Sequence, residues 1–452
     1  MTSAAEQFAS NINLSSFAKA EELKKRLLFT LGALIVYRLG TYIPLPGINP
    51  EAFSQQFQSQ TGGLLGTLNI FAGGAVERMA IFALNIMPYI SASIIVQLMT
   101  SVIPTLEALK KEGEQGRRQI NQYTRYLTVI LATLQGYFIA VNLQNNTGGG
   151  LPIVSEPGLF FTFTCVVTLV GGVMFLLWLG EQITSRGIGN GVSLIIFAGI
   201  VAELPRAAVG LLALGRGTAG AQSLPVGVVL LVIAMSLALI TFVVFMERSQ
   251  RRIVVQYPRR QVGVRMTQGE KSHLPLKLNT AGVIPPIFAS SLLLLPATAA
   301  SAIGQDSPEW LQSLTFMFAP GRPLYMALYA AGILGFTFVY TSVVFNTQDV
   351  ADNLKKYGGF IQGYRPGART ADYLDHVLTR LTLIGGVYLT FVCLMPEFLR
   401  AAYPSIPVYL GGTSLLIVVS VTLDTVGQIQ GHLLAQQYES LIKKSKLRGG
   451  KK

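Results

Sequence analysis

"GTLNIFAGGA", residues 66–75, is uncharged, and Leu68, Ile70, Phe71 and Ala72 make it apolar enough to be buried. Gly66 on one side and the pair Gly73 and Gly74 on the other leave six residues between them. A helix of that length reaches about 9 Å, against about 30 Å of bilayer hydrocarbon. The segment is too short to span a membrane and too apolar to lie in water. What it does depends on the long hydrophobic run that follows it.

Of the 452 residues, 51% are hydrophobic and only 13% charged, with a mean hydropathy of +0.49. A soluble domain carries about a quarter charged residues. Apolar runs of about 20 residues occur at 24–43, 76–102, 124–143, 158–180, 190–212, 225–247, 279–301, 323–345, 379–399 and 410–430. Each is too long for a strand, and lipid admits only helices or closed barrels. The expected fold is an all-α polytopic membrane protein with ten transmembrane helices. The first run follows basic residues, as a signal peptide would, but Arg38 interrupts its end and no A-x-A pattern follows. It reads as a retained first helix. Cys165 and Cys393 lie inside apolar runs and read as small buried hydrophobes, with no CxxC metal spacing.

With the N-terminus placed in the cytoplasm, 29 of the 35 Lys and Arg fall on the cytoplasmic side. The other six are Arg38, Arg78, Arg206, Arg216, Arg322 and Arg400. The positive-inside rule then puts both termini in the cytoplasm. It also accounts for most of the net charge of +13 without any nucleic acid. A polar connector at 213–224 separates an N-terminal half, 1–212, from a C-terminal half, 225–435, with a basic tail at 436–452. Five spans per half force the halves into opposite orientations, the topology of inverted repeats.

The span interiors carry almost no ionisable groups. Glu181, Glu247 and Asp424 fall near predicted cytoplasmic ends, and the interior polar residues Asn85, Gln97, Gln135 and Asn279 are neutral. A secondary transporter with inverted repeats, the alternative reading, would keep an intramembrane ion or substrate site. His273, His376 and His432 are scattered, and no HExxH, Ser/His/Asp or Walker pattern occurs. No catalytic residue, metal site or cofactor is expected. "RGIGNG" (186–191) follows no strand and reads as a tight turn. Pro88, Pro285, Pro286 and Pro296 are expected to kink or loosen the second and seventh helices. Ile86, Ile90 and Ile94 share one helix face, as do Ile284, Ile287 and Ser291. Hydropathy alone does not separate a lipid-facing stripe from an inward one.

Two long charged loops, 248–278 and 346–378, lie in the second half. In the first, "RIVVQY" and "QVGVRM" flank "PRR" and suggest a hairpin. In the second, "DVADNLKKY" reads as helix and "GGFIQGYRPG" as a turn-rich tip. A few residues would suffice to connect helices, and long ordered loops tend to carry function. A projecting basic surface suits RNA phosphate or an acidic protein partner.

Long motifs spread over roughly residues 20–445 resemble the SecY family of protein-conducting channels, in its bacterial form. They are "YRLGTYIPLPGI" (37–48), "FALNIMPYISASIIVQL" (82–98), "KKEGEQGRRQINQYTRY" (110–126), "WLGEQITSRGIGNGVSLIIFAGIV" (178–201), "HLPLKLNTAGVIPPIFASSLL" (273–293), "ADNLKKYGGFIQGYRPG" (351–367) and "IPVYLGGTSLLIVVSV" (406–421). The resemblance implies two inverted five-helix halves around a central pore, with polypeptides passing through the centre or leaving sideways between helices two and seven. By motif, the constriction ring is Ile86, Ile90, Ile196, Ile284, Ile287 and Ile417. The plug is the short helix at about 63–75, with Leu68, Ile70, Phe71, Gly73 and Gly74. The lateral gate involves Ser91, Ile94 and Ser291, and Arg251, Arg252, Arg259, Arg260 and Arg365 contact a motor or the ribosome. The family further implies SecE and SecG as small membrane subunits, SecA as motor ATPase, signal-sequence-bearing polypeptides as cargo, and the bacterial inner membrane as location. Glu77 and Arg78 depart from the family pattern by placing two charges beside the plug hinge.

Overall fold

The computed structural model describes residues 21–59, 64–145, 147–148, 151–216, 225–257, 261–262, 265–266, 271–303, 322–402 and 411–449. In chain order the helices are α1 (Glu21–Gly40), α2 (Pro50–Ser59), α3 (Leu64–Phe71), α4 (Met87–Val102), α5 (Pro104–Lys111), α6 (Glu114–Asn145), α7 (Leu159–Arg186), α8 (Gly191–Gly215), α9 (Val226–Arg248), α10 (Ile284–Ile303), α11 (Pro323–Val344), α12 (Thr347–Lys356), α13 (Ala368–Ala402) and α14 (Gly412–Gly449). The strands are β1 (Thr147–Gly148), β2 (Leu151–Pro152), β3 (Gln250–Gln256), β4 (Gln261–Val262), β5 (Arg265–Met266), β6 (Lys271–Lys277) and β7 (Phe360–Ile361).

A helix stands at each of the ten expected spans. Among the described residues, seven are long and apolar enough to cross a bilayer: α6, α7, α8, α9, α11, α13 and α14. The pair α4 and α5 makes an eighth, bent by 98° at Ile103. The other two are α1, with charges near both ends, and α10. Outward faces are apolar, as at Phe160, Phe163, Leu230 and Phe245. That suits a lipid solvent.

The ends differ from the expected ones for physical reasons. The second span does not begin as helix at residue 76: turns run to Ile86, and α4 starts at Met87. Met79 and Asn85 both take positive φ there. Crossing backbone bonds fix this stretch: Ile81 N donates to Ile43 O, and Leu45 N to Met79 O. An apolar run reports burial, and here the burial is of irregular backbone. Pro88 and the pair Pro285–Pro286 do not kink helices at their positions. They lie in the first turns of α4 and α10, where no N–H is missed. In contrast, α6, α13 and α14 extend past the apolar cores because charged turns add helix outside the hydrocarbon.

The predicted hairpin has the wrong partner. β3 pairs antiparallel over its length with β6, from Gln250↔Lys277 to Gln256↔Lys271, while "QVGVRM" folds back on itself as β4 and β5. β7 adds to the other side of β3, so the order is β6-β3-β7. Pro275 is tolerated because β6 is an edge strand. Ile253, Val255 and Leu276 point one way, onto Leu374, Val377 and Leu381 of α13. Their common burial sets the register.

The helices form two sets of five that meet along two seams. Along one seam α4 and α6 pack against α10, and α4 against α11; along the other, α8 and α1 pack against α14, and α8 against α9. The waist of the molecule lies between these seams.

Candidate functional site

Isoleucines from both sets converge at one place. Ile86, at the N-cap of α4, Ile196 of α8, Ile287 of α10 and Ile417 of α14 are all buried in one apolar cluster. Ile90 packs on that cluster. Ile284, the first residue of α10, is half-buried and outside it, and the adjacent Val283 packs there instead. Of the two stripes, Ile86, Ile90 and Ile287 thus face this cluster, Ile94 and Ser291 are buried elsewhere, and Ile284 is half-buried.

Ile70 and Phe71, at the end of α3, belong to the same cluster and are 4% and 5% exposed. The short apolar segment is thus folded into the space between helices. Burying side chains of this size stabilises by roughly 1.5–3 kcal/mol each. Leu68 lies on α3, but its side chain is outside the described residues. Gly66 lies within α3 rather than at its border. Gly73 and Gly74 take φ of +63° and +81°, which suits glycine. A Cβ on Gly73 would come within 2.8 Å of Gly199 Cα, and one on Gly199 within 2.7 Å of Phe71 O. Three glycines therefore let the loop lie directly on the backbone of α8.

Polar groups to which the sequence assigned no role at the loop also hold it. Tyr37 Oη donates to Ala72 O, Arg38 to Gly73 O, and Asn85 Nδ2 to Phe71 O. Asn69 Oδ1 accepts from Glu77 N at 2.9 Å. The expectation of nearly bare span interiors also needs a correction. Glu203 of α8, inside the fifth span, is 1% exposed, beside Gly74. Its signal was visible as a Glu and an Arg three residues apart, Glu203 and Arg206, in an otherwise apolar run.

A family profile described as SecY matches residues 80–426. This chain belongs to the SecY family. The protein translocase subunit SecY of Escherichia coli K12 is 54% identical over 430 residues, covering 95% of this chain and 96% of that protein. A solved SecY channel, described as one whose plug domain stabilises the closed state and maintains a membrane seal, superposes with a TM-score of 0.64. Its identity is 17%, with 91% of this chain and 92% of that chain covered. Sec61 in the canine ribosome–channel complex superposes with a TM-score of 0.61 at 16% identity, again over 91% and 92%. The ten helices in two inverted sets around a pore are the fold of these SecY-type channels.

The remaining SecY motifs map as follows. Ser91, Ile94 and Ser291 are each 7–8% exposed, on α4 and α10, which pack together. Ile94 and Phe288 line a small cleft with Phe336 and Tyr340 of α11. Arg251 and Arg252 are exposed on β3, and Arg365 is exposed just beyond β7. The sheet joins the two loops, since Val255 pairs with Ile361 and Gln256 Nε2 donates to Gln362 at 3.3 Å. Arg259 and Arg260 lie outside the described residues. "RGIGNG" is a turn: Asn190 caps α8, and Gly189 N donates to Gln428 Oε1.

Proposed function

We propose that the isoleucine cluster is the constriction of a protein-conducting pore, closed at rest by residues 64–75 as a plug. The observation that carries this reading is the meeting of Ile86, Ile196, Ile287 and Ile417, from four helices of both halves, around Ile70 and Phe71. A channel for unfolded chains cannot match every passing side chain with a specific polar partner. A collar of isoleucines makes few directional contacts and can close around varied sequences. It also resists ions, which lose hydration in a narrow apolar constriction. Polypeptides cross through the waist, and sufficiently apolar segments leave between α4 and α10 into lipid.

The chain sits in the bacterial inner membrane with both termini in the cytoplasm, in a complex with SecE and SecG. Energy comes from outside the chain, from SecA or the ribosome. The platform built by β3, β6 and β7, with Arg251, Arg252 and Arg365, is the surface they engage, and Arg259 and Arg260 of the same long loop contribute to that contact. A cysteine at position 70 paired with one at position 196 tests the plug. Oxidation should stop import of a preprotein into membrane vesicles, and reduction should restore it. Normal import through the oxidised pair removes the plug reading.

A further inference from the structure

Three of the six basic residues that the charge map leaves on the non-cytoplasmic side gather around the loop after α3. Arg206 Nη1 and Nη2 grip Glu77 Oε2 and Oε1 at 2.7 and 3.1 Å. Arg38, besides its bond to Gly73 O, lies 3.8 Å from Glu203 Oε1. Arg206 Nη1 is 4.0 Å from Glu203 Oε2. The Arg78 guanidinium stacks 4.1 Å from the centre of the Tyr42 ring, with Arg38 at 5.2 Å from the same ring. Two carboxylates and three guanidiniums thus link three separate pieces of chain: α1, the loop, and α8.

Burial makes this arrangement depend on the seated loop. Glu203 is almost fully enclosed, and its Oε2 accepts no hydrogen bond among the described residues. Arg78 Nη1 is likewise buried without a hydrogen-bond partner. An enclosed charge is costly unless an opposite charge stays near it. Gly74 lies against the carboxylate, where a Cβ would come within 2.5 Å of Oε1. When the plug leaves, Asn69 gives up its bond from Glu77 N, Gly74 is drawn off the Glu203 carboxylate, and Arg38 loses Gly73 O. The loop therefore departs only by breaking these contacts together.

We propose that Glu77, Glu203, Arg38, Arg78 and Arg206 form an ionic latch that holds the plug in the pore. The latch thereby sets how apolar an entering segment must be to open the channel. This rests on the plug reading above. Its residues are positioning residues, since they act through the plug and do not touch the isoleucine ring. Its strength follows from charge, so a neutral isostere should weaken it more than a replacement that keeps the charge.

The test uses the full chain in proteoliposomes with its copurifying membrane subunits. Resting ion conductance is read together with import of two preproteins, one with a strongly apolar signal segment and one with a weakly apolar one. Deleting residues 64–74 should raise resting conductance. E77Q, R206Q and E203Q should each raise import of the weak-signal preprotein by about fivefold, the effect of losing a partly buried ion pair on a two-state equilibrium. Strong-signal import should change little. R206K, which keeps the charge facing Glu77 and Glu203, should hold weak-signal import nearer the parent value than R206Q does, which loss of packing alone would not do. If the deletion leaves conductance unchanged, the plug reading fails and the latch with it. If the deletion opens the channel while all three neutral variants discriminate as the parent does, the latch is overturned and the plug stands. If R206K raises weak-signal import as far as R206Q does, charge is not what holds the loop and the latch is overturned.

Discussion

Gly199 sits where the plug loop comes closest to the backbone of α8, with Phe71 O 2.7 Å from the place a Cβ would occupy. Gly199→Ala should therefore push the loop off its seat. The residue itself keeps a helical conformation, and alanine favours the helix by up to about 1 kcal/mol. That gain is smaller than the burial of Ile70 and Phe71 lost with the seat, so stability should fall modestly while resting conductance increases. A thermal unfolding scan beside a conductance measurement separates the two effects, and a tight resting channel in the variant would disprove the contact's role. Where single residues sit was half legible in the sequence. Ile86, Ile90 and Ile287 could be placed in the apolar cluster because motif and face periodicity agreed, and Ile196 and Ile417 by motif alone. Glu203, Tyr37 and Asn69 could not, because their roles come from chain segments that meet only in three dimensions. Glu203 is separated from Gly74 by well over a hundred positions. No periodicity crosses that distance.

At the scale of elements, the basic platform depends on a small core of its own. Ile253, Val255, Leu276 and Ile361 bury one sheet face against Leu374, Val377 and Leu381. Ile361→Asp places a charge in that core and should release β7 from β3. Faster proteolytic cleavage within 250–277 would report it, and ATP-driven import should fall. Arg365→Glu should leave the cleavage pattern unchanged, because Arg365 is exposed, and still lower import if the proposed motor contact runs through it. Unchanged import in both variants would remove the platform from motor contact. The helices themselves were legible, since runs of about 20 apolar residues have few other solutions in lipid. Their ends were not. Residues 76–86 are as apolar as helix yet form turns, held by bonds to 43–45. The strand partner was misread because "QVGVRM" alternates like "RIVVQY", whereas "KSHLPLK" hides its alternation behind Pro275.

The whole molecule is two sets of five helices joined along two seams, with the waist between them. One seam, α8 and α1 against α14, includes bonds such as Gly189 N to Gln428 Oε1. The other, α4 against α10 and α11, is mostly apolar, with Ile94, Phe288 and Phe336 beside Gln97 along one cleft and Ser91 and Ser291 as short buried hydroxyls on α4 and α10. Apolar contacts are non-directional and separate more readily into lipid than hydrogen bonds do. The opening seam is therefore expected at α4 and α10. The central claim is that polypeptides pass through the isoleucine waist. Photocrosslinking groups placed singly at positions 86, 196, 287 and 417, and at the outward-facing position 160, measure this directly against a stalled, partly translocated polypeptide. The account predicts adducts to the polypeptide at the four waist positions and none at 160. Adducts absent from the waist, or equal at all five positions, would contradict it.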